Sequence, residues 1–376
     1  MKNRQICLTE GPILRSLVAL AMPIMASSFL NTVYSITDVA WIGLLGSKAV
    51  AGVGVGGMYV WLSQGLSSLA RMGAQVNVAQ SFGRGRKDEA KEYARAAIQL
   101  TLLFGVLFAL VSVGFTEGLV DLFRLGDGET VQYAESYMQI TCGLVIFSYM
   151  TVVLTGIYTA QGDSKTPLVA NIVGLIINMI MDPVLILGLG PFPRLEVVGA
   201  AVATVAAQFI VMLVMLLGAW NAKGSENVLT GMKVHKPVER RFFKGVFRIG
   251  VPTAIQGTVY CAISMVLTRM VAVFGPGAVA VQRVGGQVEA VSWNTADGFA
   301  AAINAFAAQN YGAGQMERVR KGYRISFRTI AIWGTLITLV FILLPGPISE
   351  VFFHEAEVIG ISIDYFKIVG LSEAFM

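Results

Sequence analysis

Polar side chains that could bind a cation stand inside two of the most apolar stretches of the chain. Within each stretch they recur at intervals of three, four or seven residues, which places them on one face of a helix. They are Asn31, Tyr34 and Asp38 in the first stretch, and Asn171, Asn178 and Asp182 in the second. An acid near the centre of a membrane helix costs roughly 2.5 to 3.5 kcal/mol on insertion scales, so each one needs a pocket, a partner or a proton.

Asp38 and Asp182 are expected at a similar depth. Each lies eight residues before a glycine, Gly46 or Gly190, and the two helices are expected to run in the same direction. Two carboxylates at one level indicate a shared cavity, and in poor solvent such a pair favours a neutralising cation. We therefore predict a site for a coupling ion, a proton or sodium, formed by Asp38, Asp182 and Asn178. The alternative is that each acid only caps a polar pocket or pairs with a basic residue.

A later apolar stretch carries two further acids, Glu289 and Asp297, with Trp293 between them. We expect their spacing of eight residues to leave them on roughly one helical face. They are candidates either for attracting a cationic substrate or for pairing with Arg269 or Arg283.

Two prolines interrupt the apolar stretches that carry the first pair of acids. Pro23 and Pro183 each remove an intrahelical hydrogen bond and loosen the preceding turn. We predict that Pro23 permits a functional bend of the first helix, with an ordinary structural kink as the alternative.

The composition of the chain is that of a membrane protein. Of its 376 residues, 55% are hydrophobic and 14% are charged, whereas a soluble domain carries about 25% charged residues. The net charge of +5 does not indicate nucleic-acid binding, because the basic residues lie in short tracts between apolar stretches. The few cysteines and histidines provide neither a disulfide framework nor a metal site; they are Cys7, Cys142, Cys261, His235 and His354. We expect an all-α polytopic membrane protein without catalytic residues, metal or cofactor, apart from a coupling ion.

Ten apolar stretches are long enough to be membrane helices. They are residues 15–45, 50–82, 95–116, 137–160, 167–190, 198–220, 246–275, 277–311, 326–345 and 357–374. Basic tracts follow helix 2, precede helix 7 and follow helix 8, whereas the loops after helices 3 and 9 are acidic. The positive-inside rule then predicts a cytoplasmic N-terminus in the plasma or inner membrane. We expect no cleavable signal peptide, because residues 1–10 are polar.

An internal repeat relates the two halves of the sequence at an offset of 229 residues. Pro23 aligns with Pro252, and the motif AQxxGxG at 79–85 recurs at 308–314. The offset spans six helices, so the copies share orientation and predict two pseudo-symmetric six-helix lobes. The predicted divisions are an N-terminal lobe of helices 1–6 at 1–222, a cytoplasmic linker at 223–245 and a partial C-terminal lobe of helices 7–10 at 246–376. On this plan the second lobe is incomplete, and about two helices are missing.

These features together resemble the multidrug and toxic compound extrusion (MATE) family over the whole chain. The resemblance rests on LNTVYSITDVAWIGLLG, GRGRKDEA, NMIMDPVLILGLG with GAAVATVAAQ, and AQNYGAG. It implies a secondary antiporter that exports cationic or amphipathic small molecules, including drugs, in exchange for protons or sodium by alternating access. The matching positions are Tyr34, Asp38, Asn178 and Asp182, with Thr204 and Tyr137 as looser matches and Pro23 at the bend of helix 1. Some relatives have glutamine in place of Asn31, and others carry the acid of the second lobe on helix 7 or 10 instead of helix 8.

Two other classes of protein were weighed against a multidrug exporter. A lipid-linked saccharide flippase of the same wider superfamily would need a cationic cavity, for which Arg71 and Arg269 are the only support. Arg71 is expected instead to snorkel toward the cytoplasmic membrane surface. A membrane enzyme would need a nucleophile and base or a metal set inside the helices, and neither histidine lies there. The expected partners are a small cationic substrate and the lipid bilayer, with no nucleic acid, and the protein is expected to be a monomer.

Overall fold

The computed structural model describes residues 6–123, 125, 127–221, 227–274, 276–353 and 356–373. All of the regular secondary structure in these ranges is helical, which confirms the predicted fold class. The thirteen described helices are α1 (Ile13–Gly43), α2 (Ser47–Gly83), α3 (Lys87–Gly114), α4 (Thr116–Asp121), α5 (Gly128–Gly143), α6 (Ile146–Ala160), α7 (Lys165–Leu187), α8 (Glu196–Asn221), α9 (Arg240–Ala272), α10 (Pro276–Gly312), α11 (Met316–Leu343), α12 (Pro345–Phe352) and α13 (Ala356–Glu373).

Several helices have the length and apolar composition that a membrane span requires. Among the described residues, five meet both requirements alone, namely α1, α3, α7, α8 and α11, and α5 with α6 would make a sixth. The helices α2, α9 and α10 are also long. Helix α2 of the first half packs against α9 and α10 of the second half, and α9 and α10 also contact each other.

The fourth predicted helix, at 137–160, differs from the observed structure. Helix α5 already begins at Gly128, and α6 follows it after a bend of 46°. The early start is favoured by Asp127, whose side chain accepts a hydrogen bond of 3.3 Å from the backbone nitrogen of Thr130. Hydropathy alone misses this start because residues 128–136 are mostly polar.

The internal repeat extends to the bounds of the helices. Helices α2 and α10 both contain 37 residues, and their first residues, Ser47 and Pro276, are separated by the offset of 229. Helices α3 and α11 both contain 28 residues and begin at Lys87 and Met316, again separated by 229. Helices α1 to α4 therefore have counterparts in α9 to α12.

Helices α1 and α2 connect the two halves of the molecule. Helix α1 packs against α7 in the first half and against α10 in the second, while α2 packs against α3, α5, α6, α9 and α10. One hydrophobic core, which includes Ala74, Val153 and Met215, joins α2, α6 and α8. Gly73 permits the close approach of α2 to α9, because a methyl group at this position would overlap Val246. The α1 side chains thus lie between a first-half helix and a second-half helix.

Candidate cation and substrate sites

The predicted acids of the first half lie in one buried cluster between α1 and α7. Asp38 is 8% exposed, and Asn178 and Asp182 are fully buried. The side-chain nitrogen Nδ2 of Asn178 donates a hydrogen bond of 3.0 Å to Oδ1 of Asp182. The carboxyl groups of Asp38 and Asp182 are close enough to interact electrostatically. The structure therefore brings the three residues of the predicted ion site together.

Three hydroxyl groups complete this cluster. Tyr34 lies one turn before Asp38 on α1, Tyr137 belongs to α5 and Thr204 belongs to α8. Both tyrosine hydroxyls interact with Asp38, Asp182 and Thr204. Four helices thus contribute oxygen atoms to one site, which we call the acid cluster: Tyr34, Asp38, Tyr137, Asn178, Asp182 and Thr204.

Five buried oxygens of the acid cluster lack a hydrogen-bond partner among the described residues. They are Asp38 Oδ1, Asn178 Oδ1 and Asp182 Oδ2, together with Tyr34 Oη and Thr204 Oγ1, which interact with each other but form no well-aligned hydrogen bond. Buried polar atoms in proteins are nearly always paired, so such a concentration fits a site that binds protons or a cation. The ligands are all oxygen atoms, which hard cations prefer. In the described part of the chain, no three histidine, cysteine or acidic residues are grouped to hold a metal ion.

Asn31 lines two spaces, a small cavity beside Tyr34 and a cleft toward the second half of the protein. A cavity of 40 Å³, lined by Asn31, Tyr34, Asn171 and Gln208, lies between α1, α7 and α8. This volume accommodates about two or three water molecules. A cleft of 510 Å³ lies between α1 and α10, and Asn31 lines it as well, opposite Asn294. Asn31 is therefore positioned between the cavity beside the acids and the cleft between the halves.

The two acids of the second half do not share a site. Glu289 accepts a hydrogen bond from the hydroxyl of Tyr365 on α13, whereas Asp297 is exposed to a separate cleft between α2, α9 and α10. That both lie on roughly one helical face stays a prediction, and the two acids have different neighbours. At 3.6 residues per turn, eight residues leave an angle of about 80° between the two side chains. The proposed partners Arg269 and Arg283 have side chains outside those that the structure describes.

Among the side chains that the structure describes, Arg71 of α2 interacts electrostatically with Asp297. The stem of Arg71 lies opposite Gly156 of α6, inside the helix bundle. The expectation that Arg71 snorkels toward the membrane surface is therefore wrong, because its guanidinium group has an acidic neighbour on the opposite half of the protein.

The two prolines lie inside the helices that carry the acids. Pro23 is buried within α1, which continues as one helix from Ile13 to Gly43, and Pro183 directly follows Asp182 in α7. Each proline leaves one backbone carbonyl of its helix without the usual donor. A bend of α1 at Pro23 remains a prediction.

Sequence reasoning missed the part of α2 that faces the cleft beside Asp297. Trp61, Gln64 and Ser68 all line this cleft. Gln64 and Ser68 follow Trp61 by three and seven residues, which is the same spacing that places Asn31, Tyr34 and Asp38 on one face of helix 1. The same search applied to helix 2 would have found them.

Comparison with known proteins places the chain among membrane transporters. The pattern of the MatE family matches residues 23–184 and 252–376. The probable multidrug resistance protein NorM of Thermotoga maritima is 28% identical, over 96% of this chain and 77% of that protein. An FAD transporter of Shewanella oneidensis is 27% identical, over 96% of this chain and 78% of that protein.

Solved structures show the same fold. The structure described as MATE in complex with MaD3S has a TM-score of 0.87 at 21% identity, covering 100% of this chain and 82% of that one. An outward-facing multidrug resistance MATE transporter of the MOP superfamily has a TM-score of 0.86 at 21% identity, with the same coverage. Because the MatE pattern spans more than half of the sequence, the chain belongs to the MatE family of multi-pass membrane transporters, proteins of multidrug efflux that are not enzymes.

Proposed function

We propose that this transporter exports cationic or amphipathic small molecules and takes up protons or sodium in exchange, by alternating access. The observation that carries the proposal is the acid cluster. Asp38 and Asp182 are buried together, and five oxygens of the cluster, one from each acid and three from their neighbours, have no hydrogen-bond partner among the described residues. Two carboxylates buried without a basic partner among the described side chains require neutralisation, and a transported ion supplies it.

The position of α1 supports coupling between the ion and the exported molecule. Asp38 lies on α1, and α1 packs against both α7 and α10. A change in the charge of the acid cluster alters the forces between α1 and α7, and a shift of α1 changes the cleft that it forms with α10. Ion binding in the first half is thereby linked to the shape of the space between the halves.

Of the two ions, we favour protons. One or two protons neutralise the pair of acids outright, whereas a single sodium ion leaves one negative charge buried when both acids are ionised. Sodium stays the alternative, since the carboxylates, the free Oδ1 of Asn178 and the hydroxyls offer oxygen ligands for it as well.

The role of the acid cluster is tested with Asp38→Asn and Asp182→Asn. Inside-out vesicles convert export into uptake, which is followed with the fluorescent cation ethidium under an acidic lumen. We expect each variant to lose gradient-driven uptake and to keep its expression and its elution as a folded protein, because asparagine retains the size but neither the charge nor the exchangeable proton. Asp364→Asn, an exposed acid of α13, is the matched control and should transport normally. Uptake at the wild-type rate by either cluster variant would exclude this coupling site.

The identity of the ion is tested in the same vesicles. One preparation has an acidic lumen and no sodium, and the other has high sodium in the lumen at equal pH, with the membrane potential clamped. We expect ethidium uptake under the proton gradient alone. Full uptake under sodium alone would identify sodium as the coupling ion and leave Asp38 and Asp182 as its site.

A saccharide flippase is less well supported. The cationic residue on which this alternative depends, Arg71, interacts with Asp297, which offsets its positive charge. Its second support, Arg269, has a side chain outside those that the structure describes.

A further inference from the structure

The segment that precedes α1, residues 6–11, contacts both halves of the protein. Leu8 is fully buried in a hydrophobic core that joins α1 of the first half to α10 of the second. The backbone nitrogen of Ile6 donates a hydrogen bond of 3.0 Å to the carbonyl of Gly162, in the turn between α6 and α7. We call residues 6–11 the N-terminal strap.

Arg318 of α11 holds the N-terminal strap by its backbone. The guanidinium group donates hydrogen bonds of 2.8 Å to the carbonyls of Glu10 and Gly11, and bonds of 3.3 and 3.4 Å to that of Leu8. Asn310 of α10 donates a bond of 3.0 Å to the same carbonyl of Leu8. A planar guanidinium group with five donors can serve three carbonyls at once, whereas a lysine offers a single nitrogen. Arg318 therefore fixes the backbone of the strap to the second half.

The internal repeat contains a second strap. Residues 234–239 lead into α9, and at the offset of 229 they are the counterparts of residues 5–10 before α1. Gln99 of α3 donates hydrogen bonds of 2.7 and 2.8 Å to the carbonyls of Val234 and Lys236. We call residues 234–239 the linker strap. In each copy, the segment before the first helix of one half is held by the third helix of the other half.

The two straps cross between the halves at the end of the molecule that carries the basic tracts. Arg318 belongs to one of these tracts and Lys236 to another, so this end is predicted to face the cytoplasm. Halves that open alternately to the two sides of a membrane must separate at this end in one part of the cycle. A strap that stays bound to the opposite half restrains that separation. Opening therefore requires release of the hydrogen bonds from Arg318 and Gln99.

We propose that the two straps form a latch that holds the cytoplasmic end closed, with Arg318 and Gln99 as the residues that grip them. This inference rests on the proposed function, because it takes transport to proceed by alternating access. The hydrogen bonds end on backbone carbonyls, so the latch depends on the two gripping side chains more than on the side chains of the straps. Loss of either grip favours the conformation that is open at this end.

Release of the N-terminal strap is measured through two neighbouring positions. Cys7 is exposed, whereas a cysteine that replaces the buried Leu8 is accessible to a maleimide only when the strap leaves its site. Each reporter is the only cysteine of its variant, and its reaction rate is measured in lipid nanodiscs without an ion gradient. We expect Arg318→Ala to raise the rate of Leu8→Cys at least fivefold and to leave the rate of Cys7 within twofold.

Opening of the whole end is measured as the distance between the halves. Spin labels are attached in nanodiscs to Lys87→Cys of α3 and Arg320→Cys of α11, which are exposed positions, and the distance is obtained by double electron–electron resonance. Arg318→Ala and Gln99→Met should each raise the fraction of the longer distance at least twofold. Methionine retains the length of glutamine but has no hydrogen-bond donor.

Matched controls separate the latch from general effects of substitution. Arg324→Ala and Gln132→Met change exposed residues of the same two types, on α11 and α5. Both should leave the reaction rates and the distances at their wild-type values. Should Arg318→Ala fail to fold, Arg318→Lys, which keeps the charge without the fork of donors, and Gln99→Met test the same latch.

The outcomes distinguish the latch from the proposed function. A rate of Leu8→Cys that changes less than twofold in Arg318→Ala, or distances in Arg318→Ala and Gln99→Met that match the wild type, would overturn the latch, whatever the transport assays give. Shifts in both measurements while no gradient drives export would support the latch and contradict the proposed exchange of ions.

Discussion

At the scale of single residues, the ability of the acid cluster to bind a proton or cation depends on which of its oxygens already accept a hydrogen bond. Oδ1 of Asp182 accepts a hydrogen bond from Asn178, whereas Oδ2 of the same carboxyl group has no partner among the described residues. Asn178 therefore fixes one side of the carboxyl group and leaves the other side toward the cluster. An amide serves this purpose better than a basic residue, because it orients the acid without removing the need for a proton or cation.

We predict that Asn178→Ala slows ethidium uptake about tenfold and lowers the unfolding temperature of the purified protein. The substitution deletes the donor to a buried acid, and an unpaired buried polar group destabilises a protein by about 1 to 3 kcal/mol. Asn171→Ala is the control, since Asn171 lies two turns earlier on α7 and lines the small cavity. Equal behaviour of the two variants, in uptake and in thermal unfolding, would show that the bond to Asp182 has no special role.

The sequence was most informative about residues whose neighbours lie on the same helix or follow from the repeat. The polar faces of the predicted helices 1 and 5, which are α1 and α7, were visible in the spacing of Tyr34, Asp38, Asn178 and Asp182. The similar depth expected for Asp38 and Asp182 followed from the rise of a helix per residue. The electrostatic interaction between Arg71 and Asp297 was not visible in the sequence, because it depends on how α2 crosses α10. A single sequence contains periodicity within a helix but no direct record of the angle between two helices.

At the scale of the helices, the two copies of AQxxGxG pack against each other at the ends of α2 and α10. A methyl group on Gly83 would overlap the backbone carbonyl of Gln309, and a methyl group on Gly312 would overlap that of Gln80. The contact is reciprocal, as a pseudo-twofold axis between the copies requires. Glycine is needed here because the two backbones approach too closely for any side chain.

We predict that Gly83→Ala and Gly312→Ala separate these helix ends, lower the unfolding temperature and reduce export. Gly57→Ala and Gly286→Ala are matched controls, because they stand on the same two helices at repeat-related positions and a methyl group there meets nothing within 4 Å. The controls should be neutral or slightly stabilising, since alanine favours helix more than glycine does. If all four variants unfold at the same temperature, the close approach contributes nothing to the packing of the halves.

At the scale of the whole molecule, the hydrogen bonds between the two halves are concentrated toward one end. Gln309 donates to the carbonyl of Ala160, Gln75 donates to that of Ala301, and Asn310 donates to that of Leu8. The clefts beside Asp297 and Asn31 lie farther along the helices, away from this end. Basic tracts flank the joined end, so the positive-inside rule predicts that this end faces the cytoplasm. On that prediction, the described conformation is closed toward the cytoplasm.

The opposite end should face outward, and its charges agree with that orientation. Asp127 precedes α5 there, and hydrogen bonds from Thr130 and Lys48 hold the pKa of its carboxyl group below the usual value. It is therefore ionised at neutral pH. Acidic residues have little influence on the orientation of a protein in the membrane. A test of the orientation must therefore examine both ends of the protein.

We predict that a cysteine replacing Lys236 reacts with a membrane-impermeant maleimide only from the cytoplasmic side, and that a cysteine replacing Asp127 reacts only from outside. Lys236 is exposed in the segment before α9, next to the basic tract, whereas Asp127 lies at the other end. The native Cys7, Cys142 and Cys261 are first replaced by serine, and each variant must still export ethidium. Labelling is compared in intact cells and inside-out vesicles. Reaction of Lys236→Cys in intact cells, together with protection of Asp127→Cys, would invert the orientation and would turn the described conformation into one closed toward the outside.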